Sequence, residues 1–345
     1  MYAIALLAIT YFLPSNTLPI TIQNLNSSDY WGLDILNSIS FDNKYFYNSS
    51  GSGVNVYVID TGIDTQHPEF TGRAKIAYSL ESTPPSNKCL EHGTHVAGII
   101  GGVSTGVSKN VTIWSVQGMN CHENISDDKI INMFEWVKNN HVKPAIINYS
   151  MGLGESEVHR FPRIEKAIGD LISSGIIFIN SAGNSNSNTG CQSTPSVIPG
   201  VITVGAMNSK FQRASFSNWG DCIEFYAPGE GIYSTMPNNK YAFKSGTSQA
   251  APFVTGIVAL YLEQHPTANY TEIVNVLQNY SLKNRIGDTN TYSNFLIQSL
   301  PLDIPIDDPY TWFPSPFNGK LSIRDIVIIV SILIIVFIIL YLIFS

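Results

Sequence analysis

A three-layer α/β domain, its doubly wound and mostly parallel sheet flanked by helices, is what this sequence predicts. Three observations carry that prediction. Five short apolar runs rich in β-branched residues each end in Gly, Ser, Asn, Asp or a similar punctuating residue: 54–60 (VNVYVID), 111–117 (VTIWSVQ), 145–152 (AIINYSMG), 175–184 (GIIFINSAGN) and 201–207 (VITVGAM). Continuous apolar character over so short a stretch marks strands buried on both faces. Helical patterns at 127–139, 163–173 and 248–264 alternate with these runs, which implies parallel strands joined by right-handed crossovers. Finally, 345 residues with 44% hydrophobic content supply one sizeable core and exclude a largely disordered chain.

Each element follows from its residues. Positions 2–13 are apolar but too few to span a bilayer. They resemble the core of a signal peptide, although no Lys or Arg precedes them, so 1–18 is expected to be a leader. The folded body is expected over 20–300. Gly51-Ser52-Gly53 leads into the first strand, which closes on Asp60. The segment 92–102 (HGTHVAGIIGG) has little bulk and is expected to lead into a helix. In 245–256 (SGTSQAAPFVTG), Gly246 permits a tight turn and a helix is expected from Ser248. Five prolines (301, 305, 309, 314 and 316) then block helix and sheet, which predicts a linker over 301–325. Positions 326–344 carry no charge; as a helix they reach about 28 Å, one hydrocarbon core. A C-terminal transmembrane helix is therefore expected, with a GPI-attachment signal as the alternative.

Composition narrows the function. The formal net charge is −7 and only 13% of residues are charged, which argues against nucleic acid as a partner. Thirty Asn residues supply polarity without charge. In doubly wound sheets, sites form beyond the carboxyl ends of the strands, so the polar residues there deserve scrutiny. Asp60 follows the first strand, His92 opens the Gly-spaced segment, Asn184 closes the fourth run and Ser248 opens the last helix. Singly, each has an ordinary structural reading: turn residue, core histidine, turn residue, helix cap. Together they fit one chemistry. Serine needs an adjacent base to become a nucleophile, histidine supplies one, a buried carboxylate fixes the imidazole tautomer, and an amide stabilises the oxyanion.

The motifs VYVIDTGID (56–64), HGTHVAGIIGG (92–102), INYSMG (147–152), SAGN (181–184), SFSNWGDCIEFYAPG (215–229) and SGTSQAAPFVTG (245–256) closely resemble those of the subtilisin-like serine proteases, nearest the proteinase K branch. The resemblance implies Asp60 as orienting acid, His92 as general base, Ser248 as nucleophile and Asn184 as oxyanion donor, with His95 structural. It also implies that Ser150, Met151 and Gly152 pair with substrate backbone. Ala182 and Gly183 would line the P1 pocket with them, and with no charge there an apolar or aromatic P1 residue is expected. The four cysteines allow three pairings; the resemblance implies Cys89–Cys121 and Cys191–Cys222. No cofactor is expected for catalysis. A structural calcium is expected on the Pro199 and Val201 carbonyls and the Glu224 carboxylate.

The expected function is thus a membrane-anchored serine endopeptidase of the secretory pathway, at the cell surface or on an endomembrane. It would act as a monomer on protein or peptide substrates and sit in the lipid bilayer through its C-terminal helix. The alternative is a catalytically weak or self-processing pseudoprotease that serves as a binding module. Sequons at Asn26, Asn48, Asn110, Asn124, Asn148, Asn269 and Asn279 are glycan candidates, Asn148 excepted because it lies in the substrate strand. Three departures from the family pattern stand out. Only about ten to fifteen residues separate the expected leader from the Trp31 motif, so either the chain lacks the family's usual prodomain or the sequence starts downstream of one; Gln249 stands where Met is commonest, and 121–126 lacks the usual Gly.

Overall fold

All five apolar runs form strands, and all three helical patterns form helices. The computed structural model describes residues 19–37, 39–80, 85–118, 126–151, 161–188, 193–289 and 294–299, which all lie within one compact unit, Met1–Leu302. In chain order the elements are β1 (Thr21–Asn24), α1 (Trp31–Asp34), β2 (Lys44–Tyr47), β3 (Asn55–Asp60), β4 (Ala74–Ser79), α2 (Asn87–Gly101), β5 (Thr112–Gln117), α3 (Asp127–Asn140), β6 (Ala145–Tyr149), α4 (Pro162–Ser173), β7 (Ile177–Ser181), β8 (Val201–Met207), β9 (Phe225–Pro228), β10 (Ile232–Met236), β11 (Lys240–Lys244), α5 (Thr247–Gln264), α6 (Tyr270–Tyr280), β12 (Leu282–Lys283) and β13 (Phe295–Leu296).

Among the described residues nine strands form one sheet in the order β12-β13-β9-β8-β7-β6-β3-β5-β4. Every pairing is parallel except that of β12 with β13. The chain winds outward from β3 in both directions, so β3 and β6 flank the point where strand order reverses. That is where an open α/β sheet leaves a crevice at its carboxyl edge. The register keeps that edge level: Asp60 pairs with Gln117, Ile59 with Tyr149, and Tyr149 with Asn180.

Side chains alternate across the sheet and build a core on each face. Val56, Val58, Ile146, Ile179 and Val204 pack with Val96 and Ile100 of α2 and Val254 and Val258 of α5. On the other face Tyr57, Ile59, Ile147 and Phe178 pack with Ile130 and Phe134 of α3 and Ile164 and Ile168 of α4. Helix α5 is buried along almost its whole length, as a helix at the centre of a domain must be.

Two of the boundaries that differ from expectation bear on the site. Ser86 caps α2, its Oγ accepting from Cys89 N at 3.3 Å, so the helix starts at Asn87 and His92 lies inside it rather than ahead of it. Helix α5 starts at Thr247, one residue before Ser248. Among the described residues no helix is long and apolar enough to cross a membrane. The expected leader 1–18, linker 301–325 and membrane helix 326–344 lie outside the described residues.

Candidate active site

Strand β3 delivers Asp60 to the crevice fully buried. Its Oδ1 accepts from His92 Nδ1 at 2.7 Å and from Thr61 N at 2.7 Å. A carboxylate can only accept, so Nδ1 carries a proton, and in the neutral imidazole Nε2 keeps its lone pair. This close approach depends on Gly93. A Cβ there would lie 2.2 Å from the Gly62 carbonyl oxygen, so only glycine lets α2 come so near the β3 edge. The His92 side chain is 34% exposed and therefore accessible from the crevice. Burial alone would lower its pKa, but the charge of Asp60 and its hydrogen bond outweigh that, and the net shift is upward from 6.5.

Ser248 is the second residue of α5 and is half-buried. Its Oγ donates to the Ser150 carbonyl at 3.1 Å, and among the described residues it makes no hydrogen bond with His92. The segment that leads to it is nevertheless tied to the His92 helix. His95, one turn along α2, points Nε2 at the carbonyls of Ile232 (3.0 Å) and Ala242 (3.1 Å) in the β10–β11 hairpin. Burial pushes the His95 pKa down to about 4, so it is a neutral strut, as the resemblance implies.

Asn184 is oriented by Thr247. Its Oδ1 accepts from Thr247 N at 2.8 Å and from Thr247 Oγ1 at 3.0 Å. A backbone N–H can only donate, so the oxygen must face Thr247, and Nδ2 points elsewhere. Where it points follows from Gly246: a methyl group built there would lie 3.5 Å from Asn184 Nδ2 and 3.7 Å from Ser248 N. Two N–H groups thus lie near one small space beside the serine, where an oxyanion would need donors.

Three further residues shape the site; sequence reasoning placed Asn148 in the substrate strand and gave Thr247 and Asn218 no role. Thr247 also accepts from Gly183 N at 3.0 Å. Asn218 accepts from the backbone N–H groups of Ser185 (2.9 Å) and Ser187 (3.1 Å) and donates to the Ala182 carbonyl at 2.9 Å, so it holds the loop that carries Asn184. Asn148 donates to Ser150 Oγ at 2.9 Å and accepts from Thr255 Oγ1 at 2.8 Å, which ties β6 to α5. All three stand within quoted motifs, so the signal was there without the register that explains it. Asn148 is also fully buried, in line with the expectation that its sequon goes unmodified.

The expected substrate-side residues Ser150, Met151, Ala182 and Gly183 lie at the carboxyl ends of β6 and β7; Met151 and Ala182 are buried apolar surfaces there. Gly152, Cys121, Cys191, Asn124 and the segment 121–125 lie outside the described residues. Among the described residues no cluster of three or more His, Cys, Asp or Glu side chains is arranged to hold a metal. At the expected calcium position Glu224 Oε2 accepts from Thr203 N at 2.6 Å, and burial raises its pKa to about 7.

A profile described as the subtilase family matches residues 51–297. The chain belongs to the subtilase family. This subtilase is 40% identical over 276 residues to a Thermus sp. (strain Rt41A) protein named extracellular serine proteinase, an overlap of 79% of this chain and 66% of that one. It is 36% identical over 286 residues to alkaline serine exoprotease A of Vibrio alginolyticus, with 82% of this chain and 52% of that one covered. A solved cold adapted subtilisin-like serine proteinase superposes with a TM-score of 0.74 at 36% identity, over 81% of this chain and 100% of the other. The subtilase spans about half to two thirds of the length of these two curated relatives. The resemblance and the α/β architecture expected from sequence are borne out.

Proposed function

We propose that this chain is a serine endopeptidase in which Ser248, His92, Asp60 and Asn184 carry the reaction. The observation that carries the reading is the Asp60–His92 hydrogen bond at 2.7 Å at the carboxyl edge of the sheet, with Asn184 Nδ2 and Ser248 N both close to one space beside Gly246. His92 Nε2 takes the Ser248 hydroxyl proton as Oγ adds to the peptide carbonyl. The negative charge moves to the carbonyl oxygen, which the two N–H donors hold. On collapse His92 passes that proton to the departing amine, and water completes the cycle through the same steps. Before attack, Ser248 must turn its hydroxyl from the Ser150 carbonyl to His92; catalytic hydrogen bonds commonly form only in the substrate complex.

Substrate would lie as a strand along Ser150, Met151 and Gly152, with the buried apolar surfaces of Met151 and Ala182 favouring an apolar or aromatic P1 residue. A calcium ion on Pro199, Val201 and Glu224 would stabilise the fold and take no part in the chemistry. Cys89–Cys121 and Cys191–Cys222 are the proposed disulfides; neither Cys89 nor Cys222 is a free thiol. We place the peptidase domain at 20–300, between a leader and a Pro-rich linker, with an uncharged C-terminal anchor in a membrane of the secretory pathway. Of the remaining glycan candidates, Asn26, Asn110, Asn269 and Asn279 are exposed and Asn48 is half-buried, while Asn124 lies outside the described residues.

Hydrolysis of unfolded casein by the purified chain, compared with Ser248→Ala, tests this reading. Cleavage by the parent and none by the variant is expected. Equal cleavage by both would refute it, and a folded parent that cleaves nothing would favour the binding-module alternative.

A further inference from the structure

Gln249 follows the nucleophile, and the mechanism above leaves its side chain unused. It is 2% exposed, and its Nε2 is buried without a hydrogen-bond partner among the described residues. The other end of the same amide faces the site. A methyl group built on Gly246 would lie 2.9 Å from Gln249 Oε1, beside the 3.5 Å and 3.7 Å approaches of Asn184 Nδ2 and Ser248 N. Three polar groups therefore surround one small space, and two of them are N–H donors.

In this resting arrangement the third group presents a lone pair where an oxyanion would form, while its own N–H bonds have no acceptor. The unpaired N–H is costly already at rest, and the lone pair becomes so once charge develops. A buried N–H without a partner is rarer in proteins than an under-satisfied carbonyl, and an acceptor facing an anion opposes the charge. A carboxamide has nearly the same shape at its oxygen and its nitrogen, and its last torsion is soft and roughly two-fold. A half-turn exchanges the two ends without displacing a neighbour.

We propose that Gln249 is a third oxyanion donor, its Nε2–H turning toward the carbonyl oxygen as that oxygen gains charge. The inference rests on Ser248 as nucleophile. As Oγ bonds to the carbonyl carbon, the π pair moves onto oxygen and His92 holds the hydroxyl proton. Nε2–H of Gln249 then finds the acceptor it lacks in the resting site. Because that bond exists only once charge has developed, it lowers the barrier without tightening substrate binding. Gln249 is in that case a catalytic residue.

The test is steady-state hydrolysis of a chromogenic peptide by the full chain and by its Gln249→Met and Gln249→Glu variants, with inhibition by a peptide boronic acid as a tetrahedral mimic. Gln249→Met keeps the volume and removes both donors. Its kcat should fall about tenfold, the size of one neutral hydrogen bond, with KM unchanged and boronate affinity reduced in parallel. Gln249→Glu keeps the shape but offers only acceptors at neutral pH, and should lose more. Thermal melts check that each variant folds, and either folded variant suffices to decide. A Met variant with kcat equal to or above the parent, or a loss confined to KM, overturns the proposal while the Ser248 reading stands. A parent that neither hydrolyses the peptide nor binds the boronate overturns both.

Discussion

Replacing Thr247 with Val isolates what the oxyanion geometry is worth. The hydroxyl of Thr247 is fully buried; it donates to Asn184 Oδ1 at 3.0 Å and accepts from Gly183 N at 3.0 Å. Valine preserves the shape and removes both bonds. Gly183 N loses its acceptor, and a buried unpaired N–H costs about 1–3 kcal/mol. Gly183 is only partly buried, so the lower end applies and a destabilisation of about 1–2 kcal/mol is expected. Asn184 keeps its bond from Thr247 N at 2.8 Å but loses the second restraint on its amide. If that restraint is worth about 1 kcal/mol, kcat falls roughly fivefold. Thr247→Ser retains the hydroxyl and should stay near the parent. Peptide hydrolysis gives kcat and KM, and thermal melts give stability. A Val variant that melts lower yet keeps the parent kcat would refute the claim that Thr247 aims the Asn184 amide.

Other outcomes follow from titrating groups. His92 acts as a base only when neutral, and Asp60 raises its pKa above 6.5. So kcat/KM should fall as pH drops through a value above 6.5, and Asp60→Asn should move that limb to lower pH; a flat profile from pH 5 to 8 would contradict the assignment. His95 has its folded pKa lowered to about 4, so the stability it confers is complete above 6.5 and is lost as pH falls toward 4. That loss amounts to about 3 kcal/mol, and chemical unfolding of His95→Gln should show a shallower acid dependence. Lys109 is buried over the Tyr45 ring at 5.4 Å, its Nζ has no hydrogen-bond partner among the described residues, and burial lowers its pKa to about 7. Stability should therefore decline as pH falls from 10.5 to 7, and Lys109→Met should melt higher at pH 7 and lack that decline. Calcium should raise the melting temperature of the parent but not of Glu224→Ala, and an equal rise in both would remove Glu224 from the site.

Much of this was legible in the chain because its strands are buried on both faces. Runs such as VNVYVID and VITVGAM cannot sit at a surface, and the polar residues closing them mark the carboxyl edge where Asp60 and Asn184 stand. What escaped was of two kinds. The first is short or half-exposed structure. The β10–β11 hairpin turns through Asn238 and Asn239, both at positive φ (63° and 57°), a backbone Asn tolerates. The flanking strands give no matching signal: β10 breaks its apolar run at Ser234 and Thr235, and β11 is half-exposed. Likewise α2 begins upstream at its Ser86 cap, and the glycines at 93, 98, 101 and 102 hide the helix to which His92 belongs. The second kind depends on register. Thr247 meets Asn184 and Asn148 meets Thr255 only because β6, β7 and the start of α5 share one edge of the sheet. No local spacing encodes those pairings.

The central claim is that Ser248 attacks the peptide carbonyl with His92 as its base. Incubation of the purified chain with a fluorophosphonate, followed by tryptic digestion and mass spectrometry, tests it most directly. The account predicts one phosphonylated peptide with the adduct on Ser248, and its loss in His92→Ala. An adduct on another residue, or undiminished labelling of Ser248 without His92, would contradict it.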